Sequence, residues 1–203
     1  MTEDYKTSFN IAHIEEESLI YGPGCRYVIW LQGCRLHCKG CWNKSMWSFD
    51  PNILLEREEL LRNILLKAAD GVTILGGEPL EQPDNLLWLL NQLKKSGMHI
   101  MLYTGYEMNE ISFEKKYQEI CNMADILIPG RYHENERDIY LKWRGSRNQK
   151  IISKDDCVIK EEDSTNEIEI IIDENGKLCC LGYPDDSISD ILSYPELTST
   201  MKE

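Results

Sequence analysis

Short apolar runs alternate along the chain with longer segments in which apolar residues recur at helical spacing. The run from Arg26 to Leu31 is rich in β-forming residues and leads into Gly33, which predicts a buried strand. Residues 52–69 carry apolar side chains at roughly helical spacing and stop at Asp70-Gly71, which predicts a helix. The same reasoning predicts further strands over 72–75, 99–103 and 126–128, and further helices over 83–97 and 108–123.

This alternation predicts an α/β fold with a mostly parallel sheet, because strands joined by helices of this length form right-handed βαβ units. In such sheets the functional residues lie on the loops that follow the carboxyl ends of the strands. Those loops begin at Cys34, Gly76, Thr104 and Pro129. The unusual chemistry of the sequence therefore falls on one rim of the sheet.

After residue 153 the pattern changes to that of a β-hairpin. Residues 167–173 alternate, Glu174-Asn175-Gly176 predicts a turn, and residues 177–181 predict the returning strand. We predict a core over residues 1–153 and an acidic C-terminal extension over 154–203 that is not an independent domain.

Length and charge restrict the class of protein. The 203 residues suit one domain with a modest addition. A net charge of −13 argues against nucleic acid or an anionic membrane as a partner. No apolar run approaches the ~18 residues of a membrane span, and the polar start is no signal peptide, so we expect a cytoplasmic protein.

The charge is uneven, because residues 154–203 hold 14 acidic and 4 basic side chains. The extension is therefore either a solvated acidic face or a docking lobe for a basic partner.

Three of the eight cysteines, Cys34, Cys38 and Cys41, lie within eight residues of one another. A closed zinc site would need a fourth ligand, and His37, between two of the cysteines, is badly placed to supply it. An iron–sulfur cubane accepts three thiolates, one on each of three irons, and leaves the fourth iron open. The spacing favours a [4Fe-4S] cluster; structural zinc and reduced thiols are the alternatives.

These motifs resemble those of radical S-adenosylmethionine enzymes. Cys34-x3-Cys38-x2-Cys41 is similar to their cluster motif, and Gly76-Gly77-Glu78-Pro79 is similar to their methionine-binding motif. Over residues 8–152 the chain further resembles the activating enzymes of glycyl radical enzymes, in particular those of class III (anaerobic) ribonucleotide reductases. That closer resemblance is carried by Gly22-Pro23-Gly24, Gly40-Cys41-Trp42-Asn43, Gly130-Arg131-Tyr132, Trp143-Arg144-Gly145-Ser146 and Asn148-Gln149.

The resemblance implies a partial (βα) barrel, one [4Fe-4S] cluster on the three cysteines and S-adenosylmethionine on its open iron. The methionine group would meet Gly76, Gly77, Glu78 and Pro79, while Gly40 and Trp42 would lie against the adenosine. Reductive cleavage would give a 5′-deoxyadenosyl radical that takes hydrogen from a glycine of a large glycyl radical enzyme. The electron would come from an external donor such as flavodoxin or ferredoxin.

Several residues have two interpretations. Asp125 either faces the ribose of the cofactor or caps a turn, and Arg144 and Arg147 either hold a carboxylate or are ordinary surface residues. Pro129 departs from the family, which commonly has Asp there. Cys157 with Cys179-Cys180 could suggest a second metal site. Adjacent cysteines point to opposite faces of a strand, which argues against both of them binding one metal.

Two other functions stay open from the sequence. One is the modification of a peptide or small molecule by the same radical chemistry, which the additional fifty residues keep under consideration. The other is a non-catalytic metal-binding scaffold, which would have no use for a methionine-binding glycine pair.

Overall fold

The computed structural model describes residues 7–154, 167–172, 176 and 178–185. Its strands are β1 (Ser8–Ser18), β2 (Arg26–Leu31), β3 (Ile53–Glu56), β4 (Gly71–Gly76), β5 (His99–Thr104), β6 (Ile126–Pro129), β7 (Ile152–Ser153), β8 (Ile168–Ile172) and β9 (Leu178–Gly182). Its α-helices are α1 (Arg57–Leu66), α2 (Pro83–Lys95), α3 (Met108–Phe113) and α4 (Lys115–Met123).

Seven strands form one sheet in the order β3-β1-β2-β4-β5-β6-β7. The four central strands β2, β4, β5 and β6 are parallel neighbours, as the sequence predicts, while β1, β3 and β7 pair antiparallel at the two sides. The carboxyl ends of the four parallel strands lie at one rim, which brings the loops after them together.

The two faces of the sheet are covered differently. Alternate residues of β2 point to opposite faces, and Tyr27, Ile29 and Leu31 pack in one core cluster with side chains of α1, α2 and α4. Val28 and Trp30 face the other way and belong to a separate cluster. The helices therefore cover only one face.

The C-terminal extension covers part of the second face. Leu181 of β9 is 6% exposed and packs in the cluster of Val28, Trp30 and Leu75. The strands of a parallel sheet are normally buried on both faces, and β2 is buried along its whole length. The extension thus completes the core on the face that the helices leave open.

The extension contains the antiparallel pair β8–β9, with register from Ile168–Gly182 to Ile172–Leu178. The predicted turn residues Glu174 and Asn175 lie outside the described residues, as does Cys157.

Three details of the sequence prediction were wrong. The strand β1 was not predicted, although it pairs with both β2 and β3. The start of the helix predicted over 52–69 is instead β3, which pairs with β1 at the sheet edge. The helix predicted over 108–123 is two helices, because Glu114 has extended backbone angles and its carboxylate accepts a hydrogen bond from the N–H of Lys116.

Among the residues that the structure describes, no helix is long and apolar enough to cross a membrane.

Candidate active site

The loop after β2 carries the three clustered cysteines. The Gly33 N–H donates to the carbonyl of Met46 (2.9 Å) and the Cys34 N–H donates to the carbonyl of Trp47 (3.1 Å), so the beginning of the loop is held by its end. The Cys41 N–H donates to the Cys38 carbonyl (3.1 Å), which makes a tight turn between those two residues. All three side chains are free thiols.

The three cysteines line one open cleft. Its walls come from the cysteine loop and from the loops after β4, β5 and β6, as expected for the carboxyl rim. The sequence-predicted residues that line it are Cys34, Cys38, Cys41, Trp42, Gly76, Gly77, Glu78 and Pro79.

The thiols of this cleft suit a cluster that deprotonates them as it binds. Burial raises the pKa of the Cys34 and Cys38 thiols, so these groups are protonated at neutral pH without a metal. A coordinating metal deprotonates a thiol outright. We therefore expect cluster assembly to release protons.

The described residues contain no group of three His, Cys, Asp or Glu side chains that could hold a single metal ion. This finding argues against a mononuclear site such as zinc, whose ligands must surround one ion. It does not argue against a cubane, because each thiolate there holds a different iron. The donor set, three thiols that line one cleft, thus fits a cluster.

The loop after β4 passes very close to the cysteine loop. The Gly77 N–H donates to the carbonyl of Leu31 (2.8 Å) and the Glu78 N–H donates to the carbonyl of Gly33 (2.9 Å). A Cβ on Gly76 would collide with the backbone of Leu31, and one on Gly77 would collide with the backbone of Gly33. Only glycine permits this approach, which leaves backbone groups at the cleft surface.

Glu78 is fully buried and its carboxylate is used within the protein. Its Oε1 accepts from the Leu80 N–H (2.9 Å) and the Thr104 hydroxyl (2.8 Å), and its Oε2 accepts from the Gly105 N–H (2.7 Å). The side chain therefore ties the loop after β4 to the loop after β5. We interpret Glu78 as a positioning residue for the glycine pair.

Burial raises the pKa of Glu78 to about 7, although the three hydrogen bonds oppose the shift. The folded state then binds the proton more tightly than the unfolded state, so the contribution of Glu78 to stability falls as pH rises from about 4.5 through 7. Glu78→Gln is neutral at every pH. We expect its deficit in free energy of unfolding, measured by urea denaturation, to be larger at pH 5 than at pH 8.

A matched control is Glu119→Gln, whose carboxylate is exposed on α4. Its effect is expected to be small at both pH values. A Glu78→Gln deficit that does not change between pH 5 and pH 8 would contradict the raised pKa.

The motif at residues 144–149 holds the loop that follows β6. Gln149 accepts from the Gly145 N–H (3.0 Å) and donates to the Gly130 carbonyl (3.0 Å). Asn148 donates to the Arg131 carbonyl (2.8 Å). The amides of this motif thus fix the backbone of the loop after β6.

The two arginines of the same motif are engaged within the protein. Arg147 pairs with Asp138 (3.0 Å), and Arg144 donates to the carbonyl of Gln149 (3.2 Å). Neither lines the cleft. The structure favours the structural interpretation of both over the binding of a carboxylate ligand.

Gly40 and Trp42, predicted beside the adenosine, are placed differently from each other. Trp42 lines the cleft and is 54% exposed, which leaves its ring available to a ligand. Gly40 is not among the lining residues. It has a φ of +72°, and a Cβ there would come within 2.6 Å of Glu134, so its glycine shapes the loop.

Asp125 is not in the cleft, and the expectation that it faces the ribose is corrected. It precedes β6 and so lies at the amino end of the parallel strands, about 13 Å along the strand from the carboxyl rim. Its carboxylate accepts from Lys94 (2.6 Å) and from the Ile100 N–H (2.7 Å). Asp125 therefore ties α2 and β5 to the start of β6.

Asp125→Asn therefore separates stability from cofactor binding. We expect the variant to lose about 1 kcal/mol of unfolding free energy, because the partly exposed charge pair with Lys94 is lost while an acceptor for Ile100 remains. Its affinity for S-adenosylmethionine, measured by calorimetry, should equal that of the wild type. A large loss of affinity for S-adenosylmethionine would show that Asp125 contributes to the cofactor site after all.

Several residues that line the cleft were not predicted as site residues from the sequence, among them Tyr103, Gln149 and Tyr183. Gln149 belongs to a motif that was noted without a role. Tyr183 follows β9 in the extension, and no sequence pattern connects it to a loop about 140 residues earlier. Only the packing of the extension on the sheet brings it there.

Comparison with known proteins identifies the family to which the chain belongs. A family model described as a 4Fe-4S single cluster domain matches residues 20–152. The anaerobic ribonucleoside-triphosphate reductase-activating protein of Enterobacteria phage T4 is 34% identical over 152 residues, which cover 70% of this chain and 93% of that relative. The protein of the same name from Pasteurella multocida is 33% identical over 142 residues, with 64% and 89% covered.

The chain belongs to this family of activating proteins. Membership confirms the sequence-based prediction of a radical S-adenosylmethionine enzyme of the activating type. It also confirms the two predicted cofactors, a [4Fe-4S] cluster and S-adenosylmethionine.

Among solved structures, QueE from Escherichia coli matches with a TM-score of 0.41 and 24% identity over 51% of this chain and 57% of that chain.

The family model ends at residue 152. The strands β8 and β9, and with them Tyr183, lie beyond it.

Proposed function

We propose that this activating-family protein installs a glycyl radical on an anaerobic ribonucleoside-triphosphate reductase. The observation that carries the proposal is that three free thiols and the Gly76-Gly77-Glu78-Pro79 loop line one cleft at the carboxyl rim. The names of the relatives supply the identity of the target enzyme.

Cys34, Cys38 and Cys41 are proposed to hold the [4Fe-4S] cluster. The loop at Gly76 and Gly77 is proposed to present its backbone to the amino group of S-adenosylmethionine, since no side chain there stands between backbone and ligand. When bound, the two cofactors supply the one-electron cleavage that yields a 5′-deoxyadenosyl radical, which takes hydrogen from a glycine of the partner. The contribution of the chain is placement of the reactants and exclusion of water.

Glu78 and the amides of residues 148–149 are proposed to keep the rim loops rigid. Glu78 joins the loops after β4 and β5, and Gln149 and Asn148 fix the loop after β6. Trp42 is proposed to contact the adenosine, whereas Gly40 acts by allowing the turn of the cysteine loop.

We also propose the finer architecture. Four parallel strands with helices on one face only are what a partial (βα) barrel of the radical S-adenosylmethionine type would present. Residues 1–153 form its core, and residues 154–203 form an extension that depends on that core. The electron donor is proposed to be a flavodoxin or ferredoxin, and the compartment the reducing cytoplasm, where thiols stay free.

The proposal is tested with the full chain after anaerobic reconstitution with iron and sulfide. On chemical reduction in the presence of S-adenosylmethionine, the protein should release 5′-deoxyadenosine and methionine in equal amounts, measured by liquid chromatography. A reconstituted protein with full iron content that produces no 5′-deoxyadenosine would overturn the proposal.

A further inference from the structure

The extension is anchored to the core by specific hydrogen bonds. Glu169 of β8 accepts from the Ser18 hydroxyl (2.6 Å) and from the Leu19 N–H (2.7 Å). The Gly182 N–H at the end of β9 donates to the Tyr21 hydroxyl (3.0 Å). Together with the burial of Leu181, these contacts fix where β9 ends.

The chain changes direction at that point. Gly182 has a φ of +95°, and a Cβ there would come within 2.6 Å of the carbonyl oxygen of Glu167. A residue other than glycine would therefore be strained at this position. The turn brings the next residue, Tyr183, to the wall of the cleft, and Pro184 after it is buried.

Tyr183 is one of five aromatic residues that line the cleft, and two of the others lie beside it. Trp42 and Tyr132 also line the cleft, and the rings of Trp42 and Tyr183 meet edge to face with centroids 6.4 Å apart. The ring of Tyr132 and the hydroxyl of Tyr183 both come within 3.2 Å of the Cβ position on Gly145. This aromatic wall (Trp42, Tyr132 and Tyr183) stands on the side of the cleft where Cys41 lies.

An aromatic wall of this kind recognises a flat nitrogenous base. Bases stack on Tyr and Trp rings without needing a hydrogen-bond code, because every base has a π face. Gly76 and Gly77, which approach the cysteine loop closely, also line the cleft. The cleft thus brings rings that can stack on a base together with the glycine loop proposed to meet the amino-acid part of the same ligand.

We propose that the C-terminal extension supplies Tyr183 as a binding residue for the nucleoside part of S-adenosylmethionine. The inference rests on the proposed function, because it takes this cleft as the cofactor site. It assigns to the extension a direct part in the cofactor site, although the family model ends before the extension begins.

The test uses the reconstituted full chain with its cluster left oxidised, so that binding is measured without turnover. Calorimetry gives the Kd of S-adenosylmethionine, of 5′-deoxyadenosine and of methionine for each variant. Tyr183→Leu, which keeps an apolar side chain but removes the ring, should weaken S-adenosylmethionine and 5′-deoxyadenosine about tenfold. Methionine affinity should be unchanged, and Tyr183→Phe should bind all three like the wild type.

The matched control is Ile172→Ala, on β8 of the same extension, where the side chain is 65% exposed. It should leave all three Kd values unchanged. Tyr183→Leu with wild-type affinity for 5′-deoxyadenosine, or with an equal loss for methionine, would overturn the inference while leaving the proposed function intact. A cluster-loaded wild type that does not bind S-adenosylmethionine would overturn both.

Discussion

Replacing Cys38 with alanine is expected to remove the cluster and all S-adenosylmethionine cleavage together. Cys38 is one of three thiols that line the cleft, and each thiolate of a three-cysteine cubane holds its own iron. With one ligand missing, the cluster has no protein anchor at that iron. Iron and sulfide content per chain, together with the visible absorbance of the reconstituted protein, measure the loss.

The matched control is Cys121→Ala. Cys121 is also a buried free thiol, at 6% exposure, but it lies on α4 and packs in the core on the helix-covered face. We expect it to cost some stability and to leave cluster content unchanged. Equal loss of iron from both variants would contradict the assignment of the cluster to the cysteine loop.

Gly77→Ala is expected to reduce S-adenosylmethionine cleavage by about 100-fold with little loss of iron. The new methyl group would collide with the backbone of Gly33 and come within 2.8 Å of the Met46 carbonyl oxygen. Backbone atoms cannot yield as a flexible side chain does, so the loop after β4 must move away from the cysteine loop. A displacement of about 1 Å in a group that positions the reacting atoms has an effect of this order.

The control for this variant is Gly97→Ala. Gly97 has a φ of +73°, and apart from its chain neighbours no heavy atom of the described residues would lie within 4 Å of a Cβ there, so the change adds backbone strain without a collision. It should reduce thermal stability and leave the cleavage rate unchanged. A Gly77→Ala protein with the wild-type rate would show that the close approach of the two loops is not needed.

The parallel strands could be predicted from sequence because each is a short apolar run that ends in a loop with distinctive residues. The rim position of the cysteine loop and of the Gly76-Gly77 loop then followed from topology alone. The strand β1 was missed because its apolar residues are interrupted by a charged stretch toward Ser18, and its partner β3 lies 35 residues further on. Edge pairing of this kind depends on contacts that no local pattern encodes.

The positions of Asp125 and Tyr183 show that strand topology and long-range packing also determine which residues line the cleft. A residue that precedes a parallel strand lies at the rim opposite to the loops that follow the strands, which is why Asp125 is outside the cleft. Tyr183 reaches the cleft through contacts between residues 151 positions apart, such as Ser18 with Glu169. Long-range packing of this kind becomes visible only in the folded chain.

The most direct test of the proposed function is electron paramagnetic resonance of the partner reductase. The reconstituted protein, S-adenosylmethionine and a reductant are incubated anaerobically with the anaerobic ribonucleoside-triphosphate reductase of the same organism, beside a sample in which Cys38→Ala replaces the wild type. We predict a glycyl doublet on the reductase with the wild type and none with the variant. A wild-type protein that cleaves S-adenosylmethionine but produces no glycyl signal on the reductase would contradict the proposal that it is the activase of that enzyme.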